Sequence, residues 1–198
     1  MKKLGILLTA TAIFAFVSCK NDKKEIDDMD DMDDTVQVDT KADQNDMEAR
    51  TISVNMESKS GSTTTGEAYF TEENGMVKME AKFSGLTPGN HAIHLHEKAD
   101  CSSEDGKSSG GHWNPTHQPH GKWGDAEGYH KGDIGNFEAD ADGNGSISMQ
   151  TDEWCIGCGD ENKDILGKAI IVHDGTDDFV SQPTGDAGGR VACGGIIE

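Results

Sequence analysis

From Thr51 onward, apolar side chains recur at every second position, and this alternation constrains the fold more than any other feature of the chain. Ile52, Val54 and Met56 alternate with polar residues, and the segment 77–83 repeats the pattern. A period of two is that of a β-strand with one buried face. Since no long segment shows helical periodicity, the sequence predicts an all-β domain.

Turn signals divide the alternating segments into eight predicted strands. Asn74-Gly75, the segment Pro88–Asn90 and the segment Asp142–Gly145 contain the residues that tight turns favour. Eight strands joined in this way predict an antiparallel Greek-key sandwich or flattened barrel. The predicted strands are 51–58, 65–72, 76–84, 91–97, 133–140, 144–151, 166–173 and 190–197.

Two long segments, residues 98–132 and 174–189, fit none of these strands. Connections of this length inside a compact domain are usually functional or disordered. The first segment contains four histidines, which favours a functional loop. These histidines are His112, His117, His120 and His130.

The first 19 residues predict export from the cytoplasm. Two lysines precede an apolar run from Leu4 to Val17, which ends at Ser18 and Cys19. This run is shorter than the roughly 20 residues that a membrane span requires. Residues 16–19 resemble a bacterial lipobox, so we expect Cys19 to carry a lipid anchor, with plain secretion as the alternative. The expected location is the cell envelope, either periplasmic or associated with the outer membrane.

An acidic segment, residues 20–50, follows the export signal. It has twelve acidic and five basic side chains and almost no apolar surface to bury, which predicts a disordered tether. The tether carries −7 and the signal +2 of the total charge of −20, so about −15 falls on residues 51–198. Nucleic-acid binding needs clustered Lys and Arg side chains, and the acidic domain has no such cluster.

A histidine pair lies in the predicted fourth strand. Strand alternation places His94 and His96 on one face, where two imidazoles can bind one metal ion, and imidazole suits copper and zinc alike. His91 points with the apolar residues of this strand. We therefore expect His91 to be a buried structural histidine bonded to backbone carbonyl groups.

Further candidate ligands lie in the long loop and beyond it. His112, His120, His130 and Asp133 match the donor set of a closed tetrahedral zinc site. His173 ends an apolar strand, where it could return an imidazole to the face of the His-x-His pair. By this count the chain holds ligands for two metal ions.

Four specific motifs occur in this chain, namely His94-Leu95-His96-Glu97, Gly111-His112-Trp113-Asn114-Pro115, the segment His130–Asn136 and the segment Gly188–Gly194. In order and spacing they are similar to the motifs of the copper/zinc superoxide dismutase family, which residues 51–198 resemble over essentially the whole domain. The longer segment 101–112 and the shorter loop 174–189 look like the bacterial exported branch. Because the dimer interface of that branch differs from the cytosolic one, the subunit arrangement, homodimer or otherwise, stays open.

The resemblance implies two metal ions that share the imidazolate of His112. It selects His120 rather than His117 as a zinc ligand, because His120 follows His112 by eight residues, as in the family; His117 is then an exposed loop residue. The implied copper ligands are His94, His96, His112 and His173, and the implied zinc ligands are His112, His120, His130 and Asp133.

The resemblance also assigns roles to three residues near the ligands. Asp177 matches an aspartate that bridges ligands of both metals, Arg190 would attract the anionic substrate beside copper, and Thr184 matches a residue that narrows the channel. The loop 174–189 contains no basic residue. Lys98 and Lys107 are therefore further candidates for steering the substrate, with solvated surface charges as the alternative.

Besides Cys19, four cysteines remain, and four cysteines allow three pairings. The resemblance pairs Cys101 with Cys193, which would tie the long loop to the last strand. Cys155 and Cys158 form a Cys-x-x-Cys pair that the family core does not require. We expect a local structural disulfide there, with a thiol role in metal acquisition as the alternative.

The implied activity is dismutation of superoxide to dioxygen and hydrogen peroxide through alternating copper oxidation states, with Arg190 and His112 as the catalytic residues. One alternative is a related domain that stores or delivers copper or zinc without turnover. Another is a surface β-sandwich whose histidines are incidental. Because no copper ligand is missing and Arg190 is present, the enzyme is favoured. The expected partners are superoxide and, only through the lipid anchor, a membrane.

Overall fold

The structure is a computed structural model that describes residues 49–198. The predicted signal peptide, the predicted lipid attachment at Cys19 and residues 20–48 of the predicted tether lie outside this range. Within the described range no helix has the length and apolarity needed to cross a membrane. The only helix there is a short 3-10 turn, Lys107–Ser109.

Eight β-strands make up the described domain: β1 (Arg50–Ser58), β2 (Thr65–Glu73), β3 (Met76–Ser84), β4 (Gly89–His96), β5 (Gly135–Ala139), β6 (Gly145–Thr151), β7 (Ala169–His173) and β8 (Arg190–Gly195). They pair antiparallel and close into a barrel in the order β1-β2-β3-β6-β5-β4-β7-β8. The consecutive strands β4, β5 and β6 lie side by side with β3 beyond β6, which is a Greek-key connection. The predicted fold class is confirmed.

The barrel interior is filled by the alternating apolar residues. In β1, Ile52, Val54 and Met56 are buried and the residues between them are exposed. Residues 91–96 of β4 and all of β7 are buried on both faces. Each apolar side chain that leaves water in this way stabilises the fold by about 1.5–3 kcal/mol. The doubly buried strands β4 and β7 lie side by side, and between them they carry three of the candidate ligands.

Two strands, β5 and β7, begin at least two residues later than the sequence predicts. β5 begins at Gly135 because the carboxylate of Asp133 accepts backbone N–H groups of Gly121 and His130, which holds Asp133 in the loop. β7 begins at Ala169 because Gly167 has a φ of 80° and its N–H donates to the Ile196 carbonyl. This left-handed conformation suits glycine and turns the chain just before the strand.

A third long connection, residues 152–168, joins β6 to β7 and was not among the predicted loops. Trp154 is 1% exposed and packs on Phe70, which anchors this connection in the core. The N–H of Cys155 donates to the Lys163 carbonyl at 2.8 Å, and the N–H of Ile165 donates back to the Cys155 carbonyl at 3.0 Å. The connection is therefore held by its own backbone hydrogen bonds as well as by the core.

Candidate metal centre

Four buried histidines, here called the first cluster, converge on the covered face of β4 and β7. His94 and His96 come from β4, His173 ends β7, and His112 enters from the long loop through an isolated bridge to His96. One ring nitrogen of each histidine lies within 4.8 Å of the others. The alternation of β4 and the register of β7 thus bring three ligands together, and the loop supplies the fourth.

Each histidine of the first cluster uses one ring nitrogen in a hydrogen bond. Nδ1 of His96 donates to the Gly110 carbonyl at 2.9 Å, for example, so the lone pair lies on Nε2. Buried polar atoms normally find partners, so convergent lone pairs without one fit a cation that imidazole binds, such as copper or zinc. The nitrogens without a hydrogen-bond partner among the described residues are His94 Nδ1, His96 Nε2, His112 Nε2 and His173 Nε2.

A second cluster, which also includes His112, surrounds the carboxylate of Asp133. Nδ1 of His112 bonds Asp133 Oδ1 at 2.8 Å. Nδ1 of His120 lies 3.0 Å from Oδ2 and Nδ1 of His130 lies 3.2 Å from Oδ1, but neither contact has the alignment of a hydrogen bond. Three imidazoles and one carboxylate facing a common point are the donor set of a closed zinc site. His112 faces the first cluster through Nε2 and the second through Nδ1.

Asp177 connects the two clusters from behind. Its Oδ2 lies 2.8 Å from His94 Nε2 and its Oδ1 lies 2.9 Å from His120 Nε2. Burial alone would raise the pKa of Asp177, but the bonds to His120 and His94 outweigh it and hold the pKa below its usual range. Asn136 holds the backbone of Asp177 through two 2.8 Å hydrogen bonds. A fixed, ionised carboxylate therefore orients one ligand of each cluster.

The histidines of the two clusters differ in their proton affinity. Burial lowers the pKa of His112 to about 4 and holds the pKa values of His96 and His173 well below the usual range. Burial also opposes the charge of His120, but the nearby carboxylates of Asp133 and Asp177 outweigh it and raise the pKa of His120 to about 9. In the absence of metal, at neutral pH, three imidazoles of the first cluster are thus neutral, which is the metal-binding form.

A pocket of about 250 Å³ opens onto the first cluster and reaches His96 and His173. Arg190 and Thr184 line it, as do Lys107 and Asp105 at its rim. The Arg190 guanidinium is held by carbonyl groups of the long loop and by a serine hydroxyl. Its donors reach Gly106 O at 2.8 Å, Ser109 Oγ at 3.0 Å and Gly110 O at 2.8 Å. Lys98, the other predicted steering residue, does not line this pocket.

The two histidines that were expected to be structural or exposed lie outside both clusters. His91 is 2% exposed, and its ring nitrogens lie 2.7 Å from the His173 carbonyl and 2.8 Å from the Thr87 carbonyl. His117 is exposed and takes a φ of 54° in the loop. Neither histidine contributes a ligand atom to the clusters.

Both expected disulfides are present. Cys101 bonds Cys193 across 92 residues and joins the long loop to β8, and Cys155 bonds Cys158 within the third connection. The first bond fastens the loop that holds Arg190 to the strand that begins with Arg190. The second closes only a short loop.

Sequence reasoning missed several groups that hold the site. The carbonyls of Gly106, Gly110 and Gly188 position Arg190, His96 and His173, and a backbone carbonyl leaves no signal in residue type. Asn136 lay inside a recognised motif but was given no role. Its place three residues after Asp133 was the available signal.

Comparisons with known proteins all indicate the same family. Residues 64–196 match the family described as copper/zinc superoxide dismutase. "Superoxide dismutase [Cu-Zn] 2" of Aquifex aeolicus is 36% identical over 134 residues, 66% of this chain and 78% of the relative. "Extracellular superoxide dismutase [Cu-Zn]" of Caenorhabditis elegans is 36% identical over 137 residues, 66% of this chain and 60% of the relative. The crystal structure of a SOD-like protein from Bacillus subtilis superimposes with a TM-score of 0.65 at 29% identity, over 73% of this chain and 97% of that protein.

Proposed function

This chain belongs to the copper/zinc superoxide dismutase family, and on that premise we propose that it converts two superoxide anions and two protons to dioxygen and hydrogen peroxide. The observation that carries the proposal is the position of His112. It faces two ligand clusters through its two ring nitrogens, and the first of these clusters borders a pocket that Arg190 lines. Two cation sites that share a buried histidine, with a fixed positive charge in the pocket of one of them, suit redox chemistry on a small anion.

The first cluster is assigned to copper and the second to zinc. Copper, when bound there, supplies alternating one-electron oxidation and reduction of superoxide. Zinc has no redox chemistry, and a site with three histidines and one carboxylate has no position left for a substrate. The second cluster therefore has a structural role, in which Asp133 fixes the loop ligands His120 and His130.

The residues of the chain bind the anion and deliver a proton. Arg190 attracts superoxide into the pocket, and Thr184 narrows the space in front of His96 and His173. His112 Nε2 is the buried atom at which a proton can be held and passed to the product peroxide. Asp177 keeps His94 oriented while this happens, because its second oxygen is held by His120.

Stopped-flow measurement of superoxide decay tests the proposal. The purified protein is loaded with copper and zinc, and its metal content is measured before the assay. We expect rapid decay that depends on copper, with a zinc-only sample as the inactive control. A fully metallated protein without turnover would contradict the proposal and favour storage or delivery of metal.

We also propose that the protein works outside the cytoplasm as a lipoprotein anchored at Cys19. Supporting this are the short apolar run before Cys19 and the two disulfides, which persist mainly in oxidising compartments. Mass spectrometry of the mature N-terminus tests this location. We expect a diacylglyceryl-modified Cys19 that a Cys19→Ser variant lacks, and an unmodified or uncleaved N-terminus in the native protein would contradict it.

A further inference from the structure

Glu153 lies outside both clusters but contacts the two residues that flank His130. The Tyr129 hydroxyl donates to Glu153 Oε1 at 2.6 Å, and the Lys131 ammonium pairs with Oε2. The side chains of the two residues next to His130 therefore both bond the same carboxylate. The Glu153 side chain is partly buried, with 29% of its surface exposed.

The next residue, Trp154, connects this carboxylate to the barrel core. Its Nε1 donates to the Lys131 carbonyl at 2.9 Å. Its ring packs against Phe70 and against Trp123, which in turn packs on Tyr129. Glu153 and Trp154, two adjacent residues of the connection 152–168, thus hold Tyr129 and Lys131 by side-chain, backbone and aromatic contacts.

His130 depends on its backbone more than the other histidine ligands do. His94 and His120 each bond Asp177 through the nitrogen that faces away from the cluster, and His96 bonds Gly110 in the same way. Among the described residues, His130 makes no such hydrogen bond through its second nitrogen. The backbone N–H of His130 donates to Asp133 Oδ2 at 2.8 Å, so the orientation of the His130 ring follows from the path of the main chain.

Glu153 is a suitable fixed acceptor. Burial would raise the pKa of Glu153, but the Lys131 ammonium and the Tyr129 hydroxyl outweigh it and hold the pKa below its usual range. Burial, reinforced by the hydrogen bond to this carboxylate, raises the pKa of Tyr129 to about 12, so the phenol stays a donor. The Glu153 carboxylate and the Tyr129 hydroxyl therefore keep their protonation states across the physiological pH range.

We infer that Glu153 is a positioning residue for zinc, because it fixes the segment 129–131 so that His130 faces Asp133, and that it thereby slows zinc release. The inference rests on the proposed function, since it takes zinc as the metal of the second cluster. Replacing partners that orient a metal ligand typically changes metal affinity 10- to 100-fold. Glu153 acts through the backbone of His130, so we expect the lower end of that range.

The test compares Glu153→Ala, Glu153→Gln and the matched control Glu161→Gln, which alters an exposed carboxylate in the same connection. Each full-length protein is loaded with copper and zinc, and the rate of zinc transfer to a chromophoric chelator is measured. We expect about tenfold faster release from Glu153→Ala. Release from Glu153→Gln should be intermediate, since its amide oxygen still accepts the Tyr129 hydroxyl, and the control should match the native protein.

A second measurement separates positioning from general stability. Tyr129→Phe is combined with Glu153→Ala, and we expect their effects on zinc release to be non-additive, because both remove the same contact. Native release rates in Glu153→Ala and Glu153→Gln would overturn the inference, as would additive effects or a loss confined to the melting temperature of the metal-free protein. A native protein that binds no zinc would overturn the zinc assignment itself and the inference with it, whereas a zinc-loaded but inactive native protein would overturn the proposed activity alone.

Discussion

Arg190 and His96 share one acceptor, because the carbonyl oxygen of Gly110 accepts hydrogen bonds from Nη2 of Arg190 at 2.8 Å and from Nδ1 of His96 at 2.9 Å. The guanidinium is therefore fixed relative to an imidazole of the first cluster. Since the side chain of Arg190 supplies no ligand atom, its charge can be changed without removing a ligand from either cluster.

Arg190→Glu should lower the second-order rate constant for superoxide at least about tenfold, because it replaces local attraction by repulsion in a narrow pocket. Metal analysis should show both metals still bound. The matched control is Lys78→Glu, which makes the same charge change on an exposed side chain away from the pocket. Equal losses in the two variants would mean that net charge, rather than the position of Arg190, governs the rate.

Asp105 opposes the positive charges at the pocket rim. Its carboxylate lies 3.0 Å from the Lys107 ammonium. Asp105→Asn keeps an acceptor for the Lys107 N–H but removes a negative charge, so we expect a second-order rate constant for superoxide about two- to threefold higher.

Added salt should lower the rate constant of the native protein by screening the local positive field. A native rate that rises with salt would show that the acidic charge of the whole domain dominates approach.

His130→Ala or Asp133→Ala should empty the zinc site and leave copper bound by His94, His96 and His173. The physical reason is that His130 and Asp133 face only the second cluster. Metal analysis of the purified variants measures the outcome. His117→Ala, which removes an exposed histidine outside both clusters, should retain both metals, and full zinc occupancy in His130→Ala or Asp133→Ala would show that the ligand assignment is wrong.

Replacing both Cys155 and Cys158 by serine should destabilise the protein modestly and leave the activity per bound copper unchanged. Their bond spans a separation of 3 residues, against 92 for the Cys101–Cys193 bond. On the chain-entropy model the two bonds contribute about 2 and about 5 kcal/mol respectively. Thermal unfolding of the two double variants compares them. Loss of turnover in a fully metallated Cys155/Cys158 variant would indicate a catalytic thiol role.

The metal-free protein should be most stable near pH 6.5. Burial lowers the pKa of His112 to about 4 and those of His96 and His173 well below about 6.5, so below pH 6.5 the unfolded chain binds more protons and stability falls. Each such histidine contributes about 1.4 kcal/mol per pH unit. Above pH 6.5 the order reverses at His120, whose pKa is raised to about 9 by Asp133 and Asp177 against the effect of burial, so stability is lost as the pH approaches 9.

Urea unfolding of the metal-free protein at pH values from 4.5 to 9 measures this dependence. A free energy of unfolding that stays constant between pH 6.5 and 5 would contradict the histidine assignment. His117→Ala serves as the control, because it removes a histidine that belongs to neither cluster.

The eight strands could be predicted because one face of most strands is buried, which gives alternation a single interpretation. Val77, Met79 and Ala81 all point into the barrel in β3, for instance. The strand ends could not be predicted in the same way. The start of β5 depends on where the Asp133 carboxylate finds N–H donors within the preceding loop, and hydropathy does not encode those contacts.

Only part of the candidate site could likewise be predicted from the sequence. Side chains that bind metals have distinctive residue types, and the structure brings together both ligand sets named from the family resemblance. The groups that hold those ligands are largely backbone atoms, such as the Gly110 carbonyl, or come from the connection 152–168, whose Glu153 has no distinctive sequence context. Their partners become visible only when the chain is folded.

His112 faces both clusters, so neither metal can bind without altering a donor of the other. The two sites then form one linked equilibrium. Bound zinc must change the affinity for copper by the same factor by which bound copper changes the affinity for zinc, because the coupling free energy is reciprocal. We therefore expect the half-loaded and fully loaded states to differ in the ligand field at the metals rather than in the fold. Scarcity of either metal would change metal binding at both sites.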